Sequence, residues 1–171
     1  MAQKKVNFEF KARCKDPSGI VLYLENAGAI FKGLDRQIDT YFNVKYGRLK
    51  LREGQIENYL IWYNRSNSKG SKKSEILLFR PGNGHSLKDI LIASLGVFAV
   101  VDKKRQIYFL ENVKFHIDDV KGLGDFIEVE AQGSPGEEEQ LQEQCEYYRK
   151  QLGVQKEEII GCSYSDLTRI E

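Results

Sequence analysis

Five stretches of the chain place charged or polar side chains at every second position. Arg48, Lys50 and Arg52 alternate with Leu49 and Leu51, and Lys103 and Arg105 follow Val101 at the same spacing. Glu128 and Glu130 alternate with Ile127 and Val129. Near the N-terminus Asn7, Glu9, Lys11 and Arg13 share one parity, against Phe8, Phe10, Ala12 and Cys14. His116 and Asp118 oppose Phe115 and Ile117. Side chains alternate faces along a strand with period two, so each set occupies one face. A face turned to water has no need to segregate strands by sign, and like charges across neighbouring strands cost stability. The pattern is explained if basic and acidic strands face one another across a lumen. Charges gathered in a confined space need compensation. A polyanion with a divalent cation supplies it for both signs. Lys and Arg donate charge-assisted hydrogen bonds to phosphate oxygens, and Glu and Asp are hard oxygen ligands for Mg²⁺ or Mn²⁺.

Alternation of polarity predicts the strands that would carry these sets. They run over Val6–Cys14, Gln37–Val44, Arg48–Glu53, Glu57–Tyr63, Glu75–Phe79, Val97–Leu110, Val113–Asp118 and Phe126–Gln132. Helices are predicted over Ile20–Phe31, with Gly33 after it, and over Ser86–Leu95, which opens as a capping box (Ser86, Asp89) and stops at Gly96. A third, Glu137–Leu152, sets Leu141, Cys145, Tyr148 and Leu152 on one face, and a short one starts at Ser163 or Ser165. Asn64–Lys73 and Gly133–Gly136 read as loops, and Gly122-Leu123-Gly124 as a turn. The expectation is an α+β fold: an eight-stranded antiparallel barrel with a charged lumen, its apolar faces outward under the helices.

The 171 residues fit one domain, taken as 1–171, and the composition is that of a folded chain, 41% hydrophobic and 30% charged. Net charge is +1, so an anion site must come from local placement of cations. Cys14, Cys145 and Cys162 are odd in number and lack C-x-x-C spacing; His85 and His116 are far apart. Neither a disulfide framework nor a zinc cluster is indicated. There is no G-x-x-x-x-G-K-[ST] loop. No apolar leader or membrane-length run occurs, which makes the cytoplasm the default location. Nucleic-acid barrels present aromatics on an open face, whereas here the aromatics are expected largely on the outward, helix-covered faces. The partner expected is therefore a small-molecule triphosphate, not nucleic acid or membrane; a homodimer is left open.

These residues resemble the CYTH family of triphosphate tunnel enzymes, which includes class IV adenylate cyclases and thiamine triphosphatases. The motifs follow in order: Asn7-Phe8-Glu9-Phe10-Lys11, Gln37–Phe42 leading into Gly47–Arg52, Val101-x-Lys103-x-Arg105, His116-Ile117-Asp118, Gly122–Glu130 and Ser163–Leu167. The resemblance implies an eight-stranded tunnel in which Lys11, Arg48, Lys50, Arg52, Lys103 and Arg105 bind phosphates, joined by Arg65. It implies that Glu9, Glu128 and Glu130 hold Mg²⁺ or Mn²⁺, with Asp118 a further ligand or the partner that orients an Arg. Lys11, Glu128 and Glu130 are the catalytic set it implies. Tyr164 is expected to pack rather than close the tunnel, and His116 to be a structural residue; His85 is given no role. The motif has glutamate where Asn7 stands, which implies weaker or displaced metal binding.

Three readings follow. The first is metal-dependent hydrolysis of a triphosphate, whether inorganic tripolyphosphate, thiamine triphosphate or a nucleoside triphosphate. The second is a class IV adenylate cyclase, and the third a barrel that binds nucleotide or polyphosphate without turnover. Hydrolysis stands first because it needs only the phosphates gripped, while cyclisation needs base and ribose held in one pose.

Overall fold

The computed structural model describes residues 6–64, 72–82 and 86–168. In chain order these form β1 (Val6–Arg13), α1 (Pro17–Asn26), β2 (Ile30–Phe42), β3 (Arg48–Glu53), β4 (Tyr59–Asn64) and β5 (Lys72–Phe79). Then come α2 (Ser86–Leu95), β6 (Val97–Leu110), β7 (Val113–Val120), β8 (Gly124–Gly133), α3 (Glu138–Gln151), a 3₁₀ turn at Lys156–Glu158 and α4 (Tyr164–Leu167). Arg65 and His85 lie outside the described residues.

All strand pairs are antiparallel, and the sheet closes in the order β1-β5-β4-β3-β2-β6-β7-β8. The register sets lumen residues side by side: Arg52 against Asp39, Arg105 against Asp118, His116 against Glu128, and Lys11 against Glu128. Among the described residues, the β1–β5 seam runs from Asn7↔Ser74 to Glu9↔Lys72.

Two expectations need correction at α1. The helix spans Pro17–Asn26, not Ile20–Phe31, because its start is set by Asp16, whose Oδ1 accepts the Gly19 N–H at 2.9 Å, with Pro17 at the first helical position. Gly28, at φ +77°, lets the chain leave the helix. Gly33 is instead a bulge in β2, which begins at Ile30 and runs far earlier than the expected Gln37.

The outward faces of β1, β7 and β8 form the main core under α1 and α3, built on Phe8, Phe10, Phe115, Ile127, Val129, Leu24 and Leu141. Outward residues elsewhere lack such cover: Leu34, Val100 and Phe79 are more than half exposed. The aromatics also depart from expectation. Tyr41, Tyr59, Tyr63 and Tyr164 line the tunnel, and Phe126 packs with three of them in a second cluster inside it. No helix among the described residues is long and apolar enough to cross a membrane.

Candidate functional site

The lumen is a cavity of about 790 Å³. Six cations line it: Lys11 from β1, Lys32 from β2, Lys50 and Arg52 from β3, Arg105 from β6 and Lys114 from β7. Four carboxylates face them: Glu9, Glu128, Glu130, and Glu57 from the β3–β4 connection. Alternation on each strand turns these side chains inward while Phe8, Phe10, Ile127 and Val129 take the core face.

Beneath this lining lies a layer sealed from solvent. Asp39 is fully buried and accepts from Arg52 Nε (2.8 Å) and Nη2 (2.9 Å), Lys103 Nζ (2.8 Å) and Lys50 Nζ (3.0 Å). Burial alone would raise its pKa, but Arg52, Lys103 and Lys50 outweigh that and hold it well below the usual carboxylate range. Lys103, 1% exposed, is pulled down to about 7 by burial, against the opposing pull of Asp39. Asp118 takes both arms of Arg105 at 2.6 Å and the Tyr164 hydroxyl at 2.7 Å. Arg105 also donates to Glu128 at 3.0 Å.

Of the residues expected to bind phosphate, Lys11, Lys50, Arg52 and Arg105 thus share the cavity. Lys103 stands behind Asp39, and Arg48 lies near the α4 end, donating to Asp166 at 2.8 Å. Of the expected metal ligands, Glu9, Glu128 and Glu130 reach the cavity, whereas both Asp118 oxygens are engaged from below by Arg105 and Tyr164. Tyr164 packs edge-on to Phe126, with centroids 4.9 Å apart, and also forms the cavity floor, its ring 3.8 Å from Lys11 Nζ.

Four residues unassigned from sequence are part of this machinery: Asp39, Glu57, Asp35 and Lys114. Asp39 and Asp35 share parity with Gln37 on β2, and Lys114 with His116 on β7, so the signal existed once the strand starts were known. The strand expected from Glu57 begins only at Tyr59, and the loop before it delivers Glu57. Buried Asp35 accepts the backbone N–H groups of Gln55 (2.8 Å), Ile56 (3.1 Å) and Glu57 (2.9 Å). That clamp holds the Glu57 carboxylate against Arg52 at 2.8 Å, with Lys114 as a further ion-pair partner. Burial would raise Glu57, but Arg52 leads the neighbouring cations that keep it ionised.

His116 is 2% exposed, and neither ring nitrogen has a hydrogen-bond partner. Its Nδ1 is 3.6 Å from Glu128, beyond hydrogen-bond reach. Burial, with Arg105 next in effect, pushes its pKa down to about 4. The two β8 carboxylates are driven apart. Burial raises Glu130, while Glu128 is held well below the ordinary range because Lys11 and other partners overcome its burial.

Among the described residues, no three His, Cys, Asp or Glu side chains converge on one point as a ready metal seat. A Mg²⁺-type ion, however, uses one or two carboxylates and completes its shell from substrate phosphates and water. Glu9 lies opposite Glu130 across β1 and β8. Beside them Asn7 donates to Glu130 and leaves its own buried Oδ1 without a partner. Two carboxylates and an unused amide oxygen on one wall fit a hard cation that arrives with a phosphate.

A closed antiparallel barrel with opposed charges inside defines the class, and a family model agrees: a CYTH domain matches residues 5–164. The chain belongs to the CYTH family. It is 28% identical to a Methanocaldococcus jannaschii protein provisionally named an adenylate cyclase, over 95% of this chain and 98% of that one. It superposes on a Pyrococcus horikoshii OT3 protein with a TM-score of 0.77 and 25% identity, covering 94% of this chain and 98% of the other. A Hippeastrum protein, provisionally named an adenylyl cyclase and described as having a dominant triphosphatase activity, shares the fold at a TM-score of 0.58 and 12% identity, over 93% and 91% of the two chains.

Proposed function

We propose that the chain is a metal-assisted triphosphatase that hydrolyses a triphosphate held in its tunnel. The observation that carries this reading is the meeting of six cations and four carboxylates in one cavity. Lys11, Lys50, Arg52, Arg105 and Lys114 grip the phosphate oxygens through charge-assisted hydrogen bonds. Glu9, Glu130 and the Asn7 carbonyl hold the divalent ion, Mg²⁺ or Mn²⁺. When bound, that ion neutralises phosphate charge and favours attack at phosphorus. Glu128 fixes Lys11 and Arg105.

A second reading, a class IV adenylate cyclase, is favoured by the provisional name of the Methanocaldococcus jannaschii relative. The two chemistries part at their products. Pure protein is incubated with ATP, thiamine triphosphate and tripolyphosphate, with Mg²⁺ or Mn²⁺, and the products are resolved. Orthophosphate without cyclic AMP supports the triphosphatase. Cyclic AMP with stoichiometric pyrophosphate overturns it, and no product from any of the three points to a binding protein.

A further inference from the structure

One wall of this charged tunnel is apolar, and part of that wall faces water. Tyr59 and Ile61 from β4, Ile76 and Leu78 from β5, and Ile107 and Phe109 from β6 all line the cavity. Leu78 and its neighbour Leu77, which also lines the cavity, are each 60% exposed. An exposed apolar patch rimmed by charge marks a binding surface.

We propose that β4 and β5 form an apolar subsite that seats the flat organic group of a triphosphate ester, so that the tunnel prefers organic triphosphates to inorganic tripolyphosphate. The proposal rests on reading the same cavity as a triphosphate site. The register supplies its geometry. Lys50 lies opposite Ile61, and Ile61 opposite Leu78, so one row across three strands passes from a cation to two apolar side chains. The next row sets Arg52 against Tyr59. A ligand lying along these rows has its anionic part on β3 and its uncharged part on β4 and β5. At about 790 Å³, the cavity is of the size that takes whole organic ligands. Tyr59 offers such a ligand an aromatic ring. Inorganic tripolyphosphate would leave the apolar wall against water.

The test is calorimetric titration of the full chain with Mg²⁺, using methylene-bridged, non-hydrolysable analogues of ATP and of tripolyphosphate. The ATP analogue is expected to bind at least about tenfold more tightly. Leu78→Asn, and Leu78→Asn combined with Ile76→Thr, should remove most of that advantage and leave the inorganic analogue unchanged. Leu78 is exposed, so the single substitution should leave the thermal midpoint in place. Equal or weaker binding of the ATP analogue by the unmodified protein overturns the subsite alone, as does a variant that weakens both ligands alike. Binding of neither analogue removes the triphosphate reading of the cavity, and the subsite with it.

Discussion

At the scale of single residues, the cavity separates side chains that meet the ligand from those that merely carry charge. Lys11 combines a 3.9 Å approach to Glu128 with a seat over the Tyr164 ring, and it faces the open cavity. Lys11→Ala should weaken tripolyphosphate binding by about 1.5–3 kcal/mol, the worth of a charge-assisted hydrogen bond. Lys88, paired with Glu53 at 2.6 Å, is not part of the cavity lining, and Lys88→Ala should change binding little. Equal losses in a calorimetric titration would contradict the tunnel assignment. His116 makes a different forecast, for the ligand-free fold. Its folded pKa of about 4 lies below the ordinary value of 6.5. Between those values the unfolded chain takes up a proton that the folded chain refuses, so stability falls as pH falls through that window. The loss attributable to His116 approaches about 3 kcal/mol at the acid end. His116→Gln should flatten this part of the curve of thermal midpoint against pH. An unchanged slope between pH 6.5 and 4 would remove His116 as its source.

At the scale of elements, the β3–β4 connection is a loop held by one carboxylate. Asp35 accepts three successive backbone N–H groups, and through them it sets Glu57 among the cations. Asp35→Ala should cost about 1–3 kcal/mol and strip protection from the amides of residues 55–57 in hydrogen exchange. Retained protection there would show that the loop is held by other means. This coupling explains what the sequence withheld. Arg48, Lys50 and Arg52 were legible because strict alternation with leucines fixes both strand and face, and Arg48–Glu53 and Val97–Leu110 appear with the expected bounds. Glu57, expected at the head of a strand, sits in the loop before β4, where a distant aspartate and not the strand period sets its place. Tyr59, Ile61 and Tyr63 alternate with Leu60 and Trp62, which are also apolar, so hydrophobicity could not say which side faces the lumen. Alternation therefore leaves the side of these aromatics undecided, and it reveals β2 only from Gln37 because the Gly33 bulge interrupts it.

At the scale of the whole molecule, the barrel is joined through its two chain-distant edges. β1 pairs along its full length with β8, from Val6↔Gly133 to Arg13↔Phe126, and among the described residues it meets β5 from Asn7↔Ser74 to Glu9↔Lys72. The consequence lies in time. Of the eight strands, β1 meets its full-length partner only in β8, the last in chain order, so Glu9 and Lys11 wait outside a tunnel that does not yet exist. Such distant pairing raises contact order and slows folding. The β6–β7 hairpin, closed by the tight turn at Glu111–Asn112, needs no such wait. Pulse-labelled refolding should therefore protect the amides of the hairpin first and those of β1 in the last phase. Simultaneous protection of both would mean that the ends of the chain find each other before the middle has formed.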